Sequence, residues 1–302
     1  MTEKIFSSPK VRKFARELGA DLSGVIGSER KGRITEDDVK EIIKNKLKEE
    51  KLPILNKKTI QEYTYEEFGE VEIVDLPRIK KLAAPHLQAS WSNIPHVTHH
   101  DEADITELEL FRRNLKDNFT GMNKKITPLA FIIKALTKSL INFPIFNSSI
   151  KDIEKGIIVQ KKYFHIGIAV DTPHGLMVPK IRDTNKKNIN NIANELKIVS
   201  EKSKNLKIEK KEFFGGSITV TSLGGIGGTF FTPIINSPEV AILGIGKMFD
   251  KFIDLEKNPE KRFILPISLS YDHRVINGAD AARFCNNLKE NLGQNFAYNL
   301  SI

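Results

Sequence analysis

Cysteine is nearly absent from this chain: Cys285 is the only one among 302 residues. No intrachain disulfide can form, and no cysteine-built zinc site is available. Tryptophan is equally scarce, with one residue, and tyrosine stops at five. No apolar run approaches the roughly 20 residues that span a bilayer, and no secretory pattern opens the sequence. A cytoplasmic protein is the economical expectation. What is present is ordinary for a packed domain: 40% hydrophobic and 28% charged residues, with a net charge of +9. The excess is mostly lysine scattered along polar faces, so neither nucleic acid nor a membrane is expected as a partner.

Three regions follow from the pattern. Residues 1–43 read as a miniature helical domain. Ser8-Pro9 starts a helix that Gly19 ends, and Thr35-Glu-Asp-Asp38 starts a second one. Residues 44–66 are charged and lose periodicity after Pro53, as a mobile linker does. Residues 67–302 mix the two periods. Helices are expected after Asp104, Thr127 and Ile189 and over Ala281–Leu292. Strands are expected at 71–76, 163–172, 217–224, 241–248 and 265–272. The fold class is therefore α/β, a layered domain behind a small helical one.

The sharpest local feature is SLSYDHRVINGADAARF, residues 268–284. Ile267, Leu269, Tyr271 and His273 share one strand face by parity, so the imidazole sits where that face ends. Histidine is the common base at neutral pH, yet a lone histidine at a strand end is more often structural. Spacing alone leaves both readings open. Asn277-Gly278 is at once a turn dipeptide and a polar group four residues after the histidine. The glycines of GGIGGTFFTP (224–233) lack the spacing and the Lys-Ser/Thr ending of a phosphate loop. His99 and His100, followed by Asp101 and Glu102, diverge as neighbours do, so no metal site is expected. His165 and His174 read as structural.

The 268–284 stretch resembles the terminal D-H-R-x-x-D/N-G motif of the 2-oxo acid dehydrogenase acyltransferases and of their relatives, the chloramphenicol acetyltransferases. IPHVTHHDEADITELE (94–109), GIAVDTPHGLMVPKIRD (167–183) and ITVTSLGGIGGTFFTPIINSPEVAILGIGK (218–247) match the same family in order. The resemblance covers the whole region from about residue 68 and is closest to pyruvate-type members. It implies a chloramphenicol-acetyltransferase-like catalytic domain that moves an acetyl group between dihydrolipoamide and coenzyme A. His273 would be the base on the thiol and Thr221 the hydroxyl that stabilises the tetrahedral oxyanion. Without the family, Thr221 is simply a β-branched strand residue. Many members carry Asp where this chain has Asn277. The amide keeps the hydrogen-bonding shape and loses the charge, which leaves a polar positioning role and removes an ionic one. Trimers with sites between subunits, assembled further into 24-subunit cubes, are also implied.

The first 43 residues resemble the peripheral-subunit-binding domain of the same enzymes. Arg12, Arg16 and Arg33 then look like its basic grip on the pyruvate decarboxylase component or on dihydrolipoamide dehydrogenase. Family members also carry lipoyl domains, whose lysine lies in an Asp-Lys-Ala context that this sequence lacks. The lipoyl group, the covalent cofactor, is therefore expected on a domain outside this sequence, either through truncation or on another chain. Coenzyme A is expected as a substrate. Competing expectations are a non-catalytic scaffold that only docks peripheral subunits, a succinyl or branched-chain acyltransferase, and a free-standing acetyltransferase of the chloramphenicol type.

Overall fold

The structure is a computed structural model that describes residues 7–22, 25, 27–30, 32–49, 64–116, 121–253 and 259–301. The chain divides into two compact units, Met1–Ile73 and Val74–Ile302.

In the first unit, α1 (Pro9–Glu17) starts where Ser8 Oγ accepts the Val11 N–H. It ends at Gly19, whose φ of +66° suits a residue without Cβ. Helix α2 (Glu36–Glu49) starts with a reciprocal cap: Thr35 N–H donates to Asp38 at 2.8 Å and Asp38 N–H to Thr35 Oγ1 at 3.3 Å. It continues six residues beyond position 43, the expected edge of the domain. Val11, Ala15, Leu22, Ile34 and Val39 form the small core. Residues 50–63, the larger part of the expected linker, lie outside the described residues.

The second unit contains α3 (Arg78–Asn93), β1 (His96–Asp104), α4 (Thr106–Asn114), α5 (Pro128–Asn142), β2 (Ser148–Asp152), β3 (Ile157–Gln160), β4 (Ile166–Ile168), β5 (Lys180–Ile181), α6 (Ile189–Lys204), β6 (Ile218–Ser222), β7 (Ala241–Ile245), β8 (Phe249–Ile253), β9 (Glu260–Asp272), α7 (Gly278–Leu292) and α8 (Phe296–Leu300). Seven strands make one mixed sheet in the order β1-β9-β7-β6-β4-β5, with β8 also paired to β9. Strands β4, β6 and β7 run parallel, and the remaining pairs are antiparallel. A separate hairpin joins β2 and β3. The helices expected from periodicity form, and their apolar stripes meet residues such as Leu243, Leu265, Leu269 and Tyr271 in one core. Among the described residues no helix is long and apolar enough to cross a membrane.

One expected strand does not exist. Residues 71–76 are rich in β-branched side chains but, among the described residues, pair with no strand, and Val71, Ile73, Val74 and Leu76 are exposed. Such residues favour a strand only where they pack and pair; a strand also needs an edge to bond to. The expected strand at 163–172 shrinks to three residues of β4, and that at 241–248 ends at Ile245.

Candidate active site

Strand β9, which pairs with β1, β7 and β8, is 13 residues long, and its last ten are buried. It ends at Asp272, and the next residue, His273, is exposed. Two hydrogen bonds fix this end: Asp272 N–H to Val240 O at 2.8 Å and His273 N–H to Pro95 O at 3.1 Å. The flanking charges clasp each other. Arg274 Nη2 reaches Asp272 Oδ2 at 2.6 Å and its Nε reaches Oδ1 at 2.9 Å, which raises the guanidinium pKa still further. Of the Asp-His-Arg tripeptide, the two charged side chains are paired with each other, and the exposed imidazole takes no part in that clasp. Its ring centroid is 6.0 Å from that of Tyr271.

Asn277 is the N-cap of α7: its Oδ1 accepts the Asp280 N–H at 2.9 Å. It fixes the start of the helix that follows the histidine turn, a positioning task done through the backbone.

Thr221 is half-buried near the C-terminal end of β6. It lies opposite Gly244 of β7, which lies opposite Ser268 of β9. Two strand spacings sideways and five residues along β9 separate it from His273, roughly 19 Å within one copy. The fold therefore does not bring the two residues together in a single chain. Beyond Thr221, residues 223–239 fold back across β7. The ring of Phe231 lies where a Gly244 Cβ would be, at 2.8 Å, and Thr229 O where a Gly246 Cβ would be, at 2.0 Å. This loop and β6 border a cleft of about 670 Å³ lined by Ser222, Gly225, Asp171, Lys125 and Lys197. A second cavity of about 250 Å³ backs the histidine turn, with Ser90, Glu239, Asp272 and Arg274 in its wall.

A buried cluster lies between the two ends, and sequence reading missed it. Lys180 and Glu239 are 4% and 3% exposed and pair at 2.6 Å. Thr219 Oγ1 donates to the other Glu239 oxygen at 2.6 Å. Lys161 lies nearby, donating to Gly216 O at 2.7 Å and Ser148 O at 3.2 Å. Burial pulls its pKa down to about 8; Glu239 opposes that shift and Lys180 adds to it. The available signal was a lysine inside the apolar run MVPKI and a glutamate abutting VAILGI.

Three of the remaining histidines are hydrogen-bonded through their rings to other elements of the fold. His100 Nδ1 bonds to Ser268 Oγ at 2.9 Å, and His96 bridges Ile94 O and Ile235 N–H. His165 accepts from Asp183 N–H, and burial lowers its pKa. Cys285 is buried in the core, which pushes its thiol up to about 12. Arg12, Arg16 and Arg33 are all exposed. Arg12 and Arg16 lie one turn apart on α1, and a bridge between Ser7 and Ile34 draws the Arg33 segment alongside the start of that helix.

Comparison with known proteins adds independent observations. Residues 68–298 match the family described as 2-oxoacid dehydrogenases acyltransferase (catalytic domain), and residues 5–40 match the e3 binding domain. The dihydrolipoyllysine-residue acetyltransferase component of the pyruvate dehydrogenase complex of Cupriavidus necator is 45% identical over 92% of this chain and 52% of its own length. The corresponding protein of Buchnera aphidicola subsp. Acyrthosiphon pisum is also 45% identical, over 92% of this chain and 70% of its own. The chain spans about half the length of the first curated relatives it matches. Among solved structures, the cubic core of a pyruvate dehydrogenase multienzyme complex superposes with a TM-score of 0.74 at 43% identity, covering 79% of this chain and 97% of that one. Dihydrolipoamide acetyltransferase of Azotobacter vinelandii gives 0.73 at 42% identity, with the same coverage. In that enzyme a serine, a histidine and an asparagine were investigated for their role in catalysis, the serine 52 positions before the histidine and the asparagine four after. Thr221, His273 and Asn277 stand at the same intervals here.

Proposed function

Since the chain belongs to the 2-oxoacid dehydrogenase acyltransferases, we propose that it transfers an acetyl group between dihydrolipoamide and coenzyme A as the core of a pyruvate dehydrogenase complex. The observation that carries this reading is the Asp272–Arg274 clasp, which leaves the exposed His273 unengaged at the fixed end of β9. His273 takes the proton from the coenzyme A thiol, whose ordinary pKa of about 8.5 leaves little thiolate at neutral pH. The thiolate attacks the carbonyl carbon of the acetyl-dihydrolipoamide thioester. The oxyanion so formed receives the Thr221 hydroxyl as a donor placed in advance. Collapse expels the dihydrolipoamide thiolate, which takes back the proton held on His273.

Because base and donor lie roughly 19 Å apart in one copy, the complete site forms between two copies, His273 of one facing Thr221 of its neighbour. Trimers, built further into a 24-subunit cube, supply such pairs in closed symmetry. The similarity to a cubic core supports this assembly. The cleft beside Ser222, lysine-rich at its rim, suits the approach of an anionic acyl carrier. The lipoyl group arrives as a substrate on a lipoyl domain. The N-terminal unit docks dihydrolipoamide dehydrogenase or the decarboxylase component through Arg12, Arg16 and Arg33. Such exposed charges act chiefly on association rate and salt dependence.

The test is an assay with free dihydrolipoamide and acetyl-CoA, run beside succinyl-CoA and isobutyryl-CoA. Acetyl-CoA is expected to be the best donor, and His273→Ala to lose roughly 100-fold or more of the rate. An unchanged rate in that variant would remove His273 as the base. Transfer from succinyl-CoA alone would change the acyl group.

A further inference from the structure

We propose that the buried Lys180–Glu239–Thr219 cluster is a positioning device for this reaction, holding the strand end that carries Thr221 in register with the turn that carries His273. The inference rests on the acyltransferase reading for its kinetic half and on geometry for the rest.

The cluster is built into the sheet. Lys180, Gly167 and Thr219 stand side by side on β5, β4 and β6. Gly167 has no side chain, so the Lys180 chain passes over β4 to reach Thr219. A Cβ there would lie 2.6 Å from both Lys180 Nζ and Thr219 Oγ1. Gly216 clears the other side, since its Cβ would meet Glu239 Oε1 at 2.0 Å and Lys180 Nζ at 2.7 Å. Asn236 Nδ2 completes the shell, 3.3 Å from Glu239 Oε1. A carboxylate this deeply buried is tolerated only when paired and fully hydrogen-bonded, and Lys180 provides the counter-charge.

The links run in both directions. Thr219 lies two residues before Thr221, on the same face of β6. Its hydroxyl holds Glu239, and the next residue, Val240, accepts the Asp272 N–H at the start of the histidine turn. Few bonds therefore join the oxyanion donor to the base. In the assembly those two ends serve different sites, so one cluster sets half of each of two neighbours. Lys180, Glu239 and Thr219 touch no substrate and are positioning residues.

Thr219→Val keeps the shape and removes the link, whereas Thr219→Ser restores the hydroxyl. With the full chain, Thr219→Val is expected to lower kcat about tenfold, with KM for both substrates within about twofold, and Thr219→Ser to return kcat to near wild type. Melting curves check that both variants fold. Hydrogen–deuterium exchange gives a readout independent of activity. In Thr219→Val, amides of both 217–223 and 270–277 are expected to exchange faster, and in Thr219→Ser neither. Should Thr219→Val misfold, the double variant Lys180→Met/Glu239→Leu carries the test: it removes both charges together and the acceptor for Thr219, and is expected to lower kcat about tenfold and to speed exchange in both segments, an unchanged kcat in the folded double variant overturning the proposal. An unchanged kcat in a folded Thr219→Val, a loss that serine does not restore, or faster exchange confined to 217–223 would overturn the proposal. A wild-type protein without acetyl transfer would instead refute the functional reading, and exchange would still decide the positioning.

Discussion

Asn277 spends its side-chain oxygen on the backbone of α7, which gives its replacement a definite outcome. Asn277→Ala is expected to cost about 1 kcal/mol of stability, read as a lower Tm, while Asn277→Asp keeps the cap and suits the positive helix end. The family resemblance carried the sequence reading as far as a polar positioning role. The cap partner Asp280 was invisible because the helix start had first to be known. At His273 the strand end was legible from parity, but the clasp of Asp272 on Arg274 was not, since it depends on the turn between them. Lys180 and Glu239 lie 59 positions apart, and nothing local joins them.

Elements with one strong face were the most legible. Helices α4 to α7 and strands β6, β7 and β9 follow their apolar periods closely. Strand β1 did not, because HVTHHDEAD is mostly polar; it is a strand because all nine residues pair with β9. The segment 71–76 is the converse, β-branched residues that pair with no strand among the described residues. Helix α2 carries a pH prediction. Hydrogen bonds from the backbone of Thr35 and then Ser28 lower the Asp38 carboxyl from 3.8 to about 2. A carboxyl with a depressed native pKa binds fewer protons folded than unfolded. Its contribution is thus complete above pH 4 and fades as the pH falls toward 2. Exchange of amides in residues 28–43 is expected to rise over that window in the wild type, and much less in Asp38→Asn.

At the scale of the whole molecule, His273 and Thr221, the proposed base and oxyanion donor, stand toward opposite ends of the sheet on strands separated by β7, so on the proposed mechanism neither copy alone completes a site. Two inactive variants should then rescue each other. In co-assembled His273→Ala and Thr221→Ala chains, on the order of a quarter of sites pair an intact histidine with an intact threonine. Activity near that fraction is expected, against almost none in either pure assembly; no rescue would place both groups within one chain. The α/β class and the two-part layout were readable from pattern, whereas the distance across the sheet needed the strand order. That order also bears on descent. The three atoms nearest a Cβ at Gly216 all belong to Lys180 and Glu239. A side chain at 216 has to push aside the ends of Lys180 and Glu239, so glycine is favoured at that position for as long as the pair is kept.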